Sequence, residues 1–202
     1  MTHRYVLDDG GAVLIRPLLH GDRFELATAY AGLSAHSRRL RFFAAADELE
    51  PEDLEYLTNI DYHDHFAFAA FAVDGPWPRG IGVGRYIRDT ADPTAAEIAV
   101  TVTDAYQCRG LGTLLTRLLA DVAVTNGIRT FVNYVLWENT TAIALLTEQG
   151  ARVTPSEPGI ARIELDLPDS SAELSDSYVH RLLRTFADAL RDALARFQAT
   201  VS

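Results

Sequence analysis

The stretch that most constrains this chain is Val102-Thr103-Asp104-Ala105-Tyr106-Gln107-Cys108-Arg109-Gly110-Leu111-Gly112, a β-branched run that turns through Gln-x-x-Gly-x-Gly into a helix. The helix is strongly patterned: Leu111, Leu114, Leu115, Leu118, Leu119 and Val122 fall at i, i+3, i+4, i+7, i+8 and i+11, and Asn126-Gly127 supplies a left-handed stop. Glycine at positions 110 and 112 removes side chains where the backbone must approach something closely, and the free N–H groups of a first helical turn point at that place. Such a corner binds anions, and a pyrophosphate fits it, with Arg109 adding positive charge at the mouth. A purely structural strand-to-helix turn uses glycine as well. A Walker loop needs a lysine, which the chain lacks entirely, and a Rossmann fingerprint needs a third glycine after a strand near the chain start. Neither pattern is met.

Punctuation and periodicity set the remaining elements. Val13 to Arg16 reads as a strand ending at Pro17, Asp22 to Ala31 and Ser34 to Phe43 as helices broken at Gly32, and Pro51-Glu52-Asp53 as the opening of a third. His65 to Val73, Gly80 to Arg88 and Ala96 to Thr103 read as an antiparallel meander joined by the turns Gly75-Pro76-Trp77-Pro78 and Asp92-Pro93. After the leucine-striped helix come a strand over Thr130 to Leu136, a helix over Thr140 to Gln149 closed by Gly150, and a last strand over Ala161 to Leu167. The expected class is α/β (α+β): a mixed, mostly antiparallel central sheet flanked by helices. Residues 1–167 form this domain and residues 168–202 an appended amphipathic helix. That helix opens with a Ser170 and Glu173 capping box and carries a stripe of Val179, Leu183, Phe186, Leu190, Ala193 and Phe197. Such a stripe needs a partner, either the chain's own sheet or a second copy in a homodimer.

Charge and cysteine usage exclude several functions. The net charge is −10 across 202 residues, a poor match to phosphate backbones, so no nucleic-acid partner is expected. The longest apolar run, Phe66 to Val73, is far short of a membrane span, and the lone Cys108 forms no internal disulfide, which together suggest a cytoplasmic setting. Eight acids and no arginine lie between Ala44 and His65, so one segment generates most of the net charge. It is either a solvated helix face with favourable first-turn acids or an acidic lip for cationic substrates. His63-Asp64-His65 has a strand-like i, i+2 spacing of two potential ligands, but no third and fourth ligand cluster near them, and no metal is expected.

At the glycine corner the sequence resembles the GNAT superfamily of acyl-CoA-dependent N-acyltransferases, whose central motif is a strand, Gln/Arg-x-x-Gly-x-Gly/Ala, and a helix. A second piece supports the likeness: Asn139, Ala142, Leu145 and Gly150 are similar to the family's Asn-x-x-Ala-x-x-Leu helix ending in glycine. The resemblance runs from about Leu14 to Asp166. Upstream, Leu33-Ser34-Ala35-His36-Ser37-Arg38-Arg39-Leu40-Arg41-Phe42-Phe43 and Asn59-Ile60-Asp61-Tyr62 look like segments in the catalytic domain of bacterial Pat-type protein lysine acetyltransferases.

The resemblance implies acetyl-CoA as cosubstrate and a primary amine as acceptor, most simply a protein lysine. It places carbonyl polarisation on the main chain of Val100, Thr101 and Val102, where a bulge splays that strand from the next. The pyrophosphate falls to Gln107, Cys108, Arg109, Gly110, Leu111, Gly112 and Thr113, and the pantetheine arm to Asn139, which as a plain helix N-cap would look identical in sequence. Glu97 is the candidate general base. An acid on a half-buried strand is out of place by propensity and tends towards a raised pKa, though a cross-strand pair with an arginine such as Arg85 would also explain it. Cys108 reads as a small space-filler rather than an acyl carrier. Many relatives place a tyrosine general acid seven residues after the asparagine, but this chain has Leu146 there. Acetylation of a small amine, or a catalytically weak acyl-CoA sensor, are the rival readings.

Overall fold

The computed structural model describes residues 2–43 and 48–168. The expected C-terminal helix lies outside the described residues. Eight strands form one sheet in the order β1-β2-β3-β4-β5-β6-β8-β7, with β1 His3–Val6, β2 Ala12–Pro17, β3 His65–Ala72, β4 Arg79–Arg88, β5 Ala95–Val102, β6 Thr130–Leu136, β7 Arg152–Pro155 and β8 Ile160–Asp166. Every neighbouring pair is antiparallel except β5 with β6. Three helices, α1 Arg23–Ala31, α2 Ala35–Phe42 and α3 Pro51–Thr58, separate β2 from β3; α4 Leu111–Thr125 joins β5 to β6, and α5 Thr140–Glu148 leads from β6 into β7. The mixed, mostly antiparallel class and the β3-β4-β5 meander agree with the sequence.

The two outer strands β1 and β7 have no signature in the sequence. Each has four residues, too few for a period-2 pattern to register, and each exists because β2 or β8 offers it an edge.

One face of the sheet is sealed by α4. Leu111, Leu115 and Leu119 are fully buried, with Leu118 and Val122 nearly so, against Phe66, Phe68, Ala70, Tyr86 and Ile98. Glycines on β4 let the helix come this close: a Cβ at Gly84 would lie 3.0 Å from Leu119 Cδ1 and 3.3 Å from Leu115 Cβ. The opposite face has a smaller core of Leu18, Ala67, Ala69 and Phe71, with Leu14, Ile60 and Val83 packed on it. On that side Arg16 grips Asp22 through two bonds of 2.6 and 2.7 Å, and Asp22 also accepts the Leu19 N–H at 2.7 Å, tying β2 to the start of α1.

Candidate active site

The sheet opens between β5 and β6. Their pairing is limited to Ala95 with Thr130, Ala96 with Phe131 and Glu97 with Val132, whereas β6 stays paired with β8 over all seven of its residues. Beyond Glu97, the edge of β5 from Ile98 to Val102 has no strand of the described residues beside it on the β6 side. Val100 and Val102 therefore turn main-chain groups to anything lying in the opening, but Thr101 does not, contrary to expectation: in phase with Thr103, whose N–H donates to Ile81 C=O at 2.9 Å, it pairs with Val83 of β4. The expected bulge is not what separates the strands: β4 and β5 remain in unbroken register from Arg88–Ala96 to Gly82–Val102, and the β3–β4 pair carries an irregularity instead, at Ala70/Phe71.

At the open end the chain turns through a 3-10 segment at Asp104–Tyr106 and enters α4. Gly110 caps the helix at φ 83°, and Cys108 also takes a left-handed φ of 56°, uncommon for a residue with a side chain. Leu114 N–H closes onto Gly110 C=O at 3.0 Å, so the N–H groups of Leu111, Gly112 and Thr113 precede the ladder and face outward from the helix start. The geometry of an anion-binding corner is thus present. Cys108 is exposed, not the packed space-filler expected from its size. Gln107 differs from expectation in another way: its side chain donates to Val102 C=O at 3.1 Å and Ser37 Oγ at 3.3 Å, bracing the loop from within. Arg109 Nε lies 2.7 Å from Asp9 Oδ2, with its guanidinium 4.8 Å over the Tyr106 ring. Asn139 Oδ1 accepts from Ala142 N–H at 3.1 Å, so the helix-capping use of this side chain is realised in α5. Leu146 is buried in the core and offers no proton.

Helix α2 lies at this opening and is fastened on both sides of it. Asp104, just past β5, accepts from the Ser34 N–H at 3.0 Å, Ser34 Oγ at 2.9 Å and Ser37 Oγ at 2.7 Å; Arg39 meets Glu138, just past β6, at 3.0 Å. Burial pushes the Asp104 carboxyl up, but the bonds from Ser34 and Ser37 outweigh this and hold it below the usual range. The sequence marks this fastening only through Ser34 as an N-cap, which it also is, accepting from Ser37 N–H at 3.1 Å.

Glu97 stands at the closed end of the split, as the last β5 residue paired to β6. By alternation it shares a face with Ala99 and Thr101 on β5 and with Ile87 and Arg85 on β4, the face covered by α1 to α3. Its side chain is exposed, not half-buried. The anticipated pair with Arg85 is absent: Arg85 is 4% exposed and donates instead to Leu57 C=O at 3.0 Å and towards His65 Nε2 at 3.1 Å. A cleft of about 330 Å³ in front of Glu97 is walled by Tyr30, Phe42, Tyr56 and Ile87, with Glu48 and Asp53 also lining it.

The acidic segment divides its work. Glu55 pairs with Arg23, Glu50 and Asp53 form the capping box of α3, and Asp61 accepts three backbone N–H bonds, from His63, Asp64 and His65, at 2.8, 2.8 and 2.9 Å. Asp61 is therefore a turn organiser. His63 pairs with Asp64 at the surface, while His65 turns inward against a guanidinium, so the two rings do not converge. Among the described residues no three His, Cys, Asp or Glu side chains are grouped to hold a metal ion, and no helix is long and apolar enough to cross a membrane.

Similarity to known proteins points the same way. Residues 33–151 match the Acetyltransferase (GNAT) family. The chain is 40% identical over 123 residues to Acetyltransferase PA5475 of Pseudomonas aeruginosa and 30% identical over 154 residues to Acetyltransferase Pat of Mycolicibacterium smegmatis, spanning 66% and 45% of those relatives' lengths and 61% and 76% of its own. Among solved structures, the GNAT domain of S. lividans PAT superposes with a TM-score of 0.76 at 34% identity, covering 82% of this chain and 97% of that one. A cAMP-binding acyltransferase from Mycobacterium smegmatis gives 0.65 at 26% identity, covering 95% and 54%. With a β5–β6 opening, a glycine-capped helix at its mouth and a family match over more than half its length, the chain belongs to the GNAT acetyltransferase family.

Proposed function

We propose that this protein transfers the acetyl group of acetyl-CoA to a primary amine, its acceptor a lysine side chain of another protein, by direct attack with Glu97 as general base. The observation that carries the reading is the placement of Glu97 at the closed end of the β5–β6 opening, facing the α1–α3 cleft, with the glycine corner at the other end. The diphosphate lies at the start of α4, where the N–H groups of Leu111, Gly112 and Thr113 and the charge of Arg109 meet it. Val100 and Val102 hold the thioester end by main-chain bonds, polarising its carbonyl, and the pantetheine arm runs past Asn139. The amine enters from the cleft side.

A lysine ammonium has a pKa of ~10.4 and must lose a proton before it can attack. Glu97 takes that proton, directly or through one water. The amine nitrogen then bonds to the carbonyl carbon and gives its second proton to solvent, the carbon–sulfur bond breaks, and the CoA thiolate takes a proton from solvent, since Leu146 supplies none. The product pair is the acetyl-amide and free CoA. Glu48 and Asp53 along the cleft favour approach of a cation. The relation to Pat-type enzymes supports a protein acceptor, and the C-terminal stripe from Val179 to Phe197 supports a homodimer, which light scattering on the intact chain and its Leu190→Asp variant would test.

The deciding experiment is thiol release from acetyl-CoA with proteins, peptides and small amines as acceptors. Glu97→Gln is expected to lower kcat by about 10²-fold with acetyl-CoA affinity little changed. Full turnover in that variant removes Glu97 as the base, and activity confined to small amines removes the protein acceptor. The chain contains no lysine, so every acetyl-lysine found by mass spectrometry originates in the acceptor.

A further inference from the structure

The cleft in front of Glu97 contains two guanidinium groups that the transfer chemistry does not use. Arg41 and Arg85 both line it, together with the apolar side chains of Phe42, Leu49 and Leu57. Arg85 is 4% exposed, and its only hydrogen-bond partners among the described residues are neutral: Leu57 C=O and His65. Arg41 has a buried Nε with no acceptor, and its guanidinium lies 4.8 Å over the Phe42 ring. Among the described residues no carboxylate is within ion-pair distance of either.

Two like charges facing one cleft, Arg85 buried and Arg41 half-buried, with the described carboxylates of the cleft out of contact with both, are an expensive arrangement. Burial lowers the Arg41 pKa, opposed by the field of Glu97; burial, and then the charge of Arg41, lowers Arg85 to about 10. His65 is no counter-ion, since burial and the charge of Arg85 hold it neutral, with a pKa of about 4. A planar anion accepting from both forks would offset the repulsion and fill the vacant donors.

We infer that Arg41 and Arg85 form a carboxylate-binding subsite within the acceptor pocket, so that the preferred acceptor carries a carboxylate a short distance from the amine it presents to Glu97. This rests on the reading of Glu97 as the base that receives the amine. Arg85 and Glu97 are diagonal neighbours on one face of an antiparallel pair, about 7–8 Å apart. That span suits an amine and a carboxylate on one flexible chain. The carboxylate has two sources: an acidic residue beside the target lysine in a protein, or the carboxylate of a free amino acid. Both present the same group to the arginines.

The test uses two matched probe pairs on the full chain with CoA present. One pair is a blocked dipeptide of lysine followed by glutamate or by glutamine; the other is ε-aminocaproate and its amide. Affinity is measured by calorimetry and kcat/KM by thiol release. The carboxylate member of at least one pair is expected to be favoured about tenfold or more, and the pair that discriminates identifies the source. Arg41→Gln is expected to bring that ratio close to one, and Arg85→Lys, which keeps charge but loses the fork, to reduce it severalfold. Should Arg85→Lys fail to fold, Arg41→Gln decides. Equal affinity within both pairs, binding of neither member, or a ratio unchanged in Arg41→Gln overturns the inference. So does an Arg41→Gln effect equal for both members and accompanied by a shifted pH–rate profile, which would mean that Arg41 acts on Glu97. Discrimination in binding with no turnover of any amine would retain the subsite and reject the acetyl-transfer reading, so the two fail separately.

Discussion

The carboxylate of Asp8 is packed against the α-carbon of Gly110, so closely that a Cβ on Gly110 would collide with all three atoms of the Asp8 carboxyl group. The β1–β2 turn thus abuts the corner that opens α4, and Asp8 N–H donates to Arg109 C=O at 3.2 Å to hold it there. The two glycines of the motif consequently differ. Gly110 needs its left-handed φ of 83°, and a Cβ there would have to push aside the exposed Asp8 carboxyl, whereas a Cβ on Gly112 would meet only Leu145 Cδ2 of the described residues, at an ordinary 3.5 Å.

Gly110→Ala is expected to destabilise the fold, the left-handed φ alone costing about 1–2 kcal/mol, and to weaken acetyl-CoA binding as the corner shifts. Gly112→Ala should fold normally and gain up to about 1 kcal/mol of helix propensity, yet bind acetyl-CoA less well because the new methyl group stands at the helix start. Thermal melts and calorimetry on the two variants check this. Full affinity in folded Gly112→Ala would move the diphosphate away from that turn.

In the proposed binding mode Asp9 competes with the cosubstrate for Arg109. Their ion pair is a partly exposed one, worth about 0.2–1 kcal/mol. Asp9→Asn should therefore tighten acetyl-CoA binding by up to about fivefold at low salt, with the gain shrinking as ionic strength rises. Unchanged or weaker binding would mean that Arg109 does not reach the diphosphate.

The fastening of α2 to the β5 end depends on one carboxylate. Asp104→Asn removes the charge that three donors from Ser34 and Ser37 address and is expected to cost about 1 kcal/mol, moderated by exposure of the site. Because the folded state holds the Asp104 pKa down, this contribution is present above the unfolded value of ~3.9 and is lost as pH falls through the lower folded value. Denaturant titrations of the two proteins should converge in that acid range. A constant gap across it would assign the stability to something other than the charge.

His65 predicts a second, milder acid sensitivity. Burial and the charge of Arg85 lower its pKa from 6.5 to about 4, so the folded state resists a proton that the unfolded chain accepts. Stability is full above pH 6.5 and declines as pH falls towards about 4, by roughly 3 kcal/mol at most. Replacing His65 with Gln should flatten the stability profile across that window, which urea unfolding at a series of pH values would reveal. A wild-type profile flat from 6.5 to 4 would show that His65 is free to protonate in the fold.

The sequence by itself determined the elements with strong periodicity and punctuation: the meander β3-β4-β5, the leucine face of α4, and the Gln107-to-Gly112 corner between them. These are local properties, because the spacing of apolar residues and the backbone freedom of glycine act within a dozen residues. It also marked Glu97 and Asn139, one by its place on a strand and the other by its helix. The tertiary structure decided what those residues face. Only the register of β4 with β5 places Arg85 on the same face as Glu97, and only packing under α2 and α3 buries it with His65 instead of pairing it across the sheet. Likewise, Asp8 meets Gly110 and Asp104 meets Ser34 across 102 and 70 residues, contacts that no local pattern announces. The four-residue strands β1 and β7 belong with these. A short extended segment has little preference of its own and becomes a strand when a neighbouring edge satisfies its N–H and C=O groups, a condition set by the assembled sheet and not by the segment.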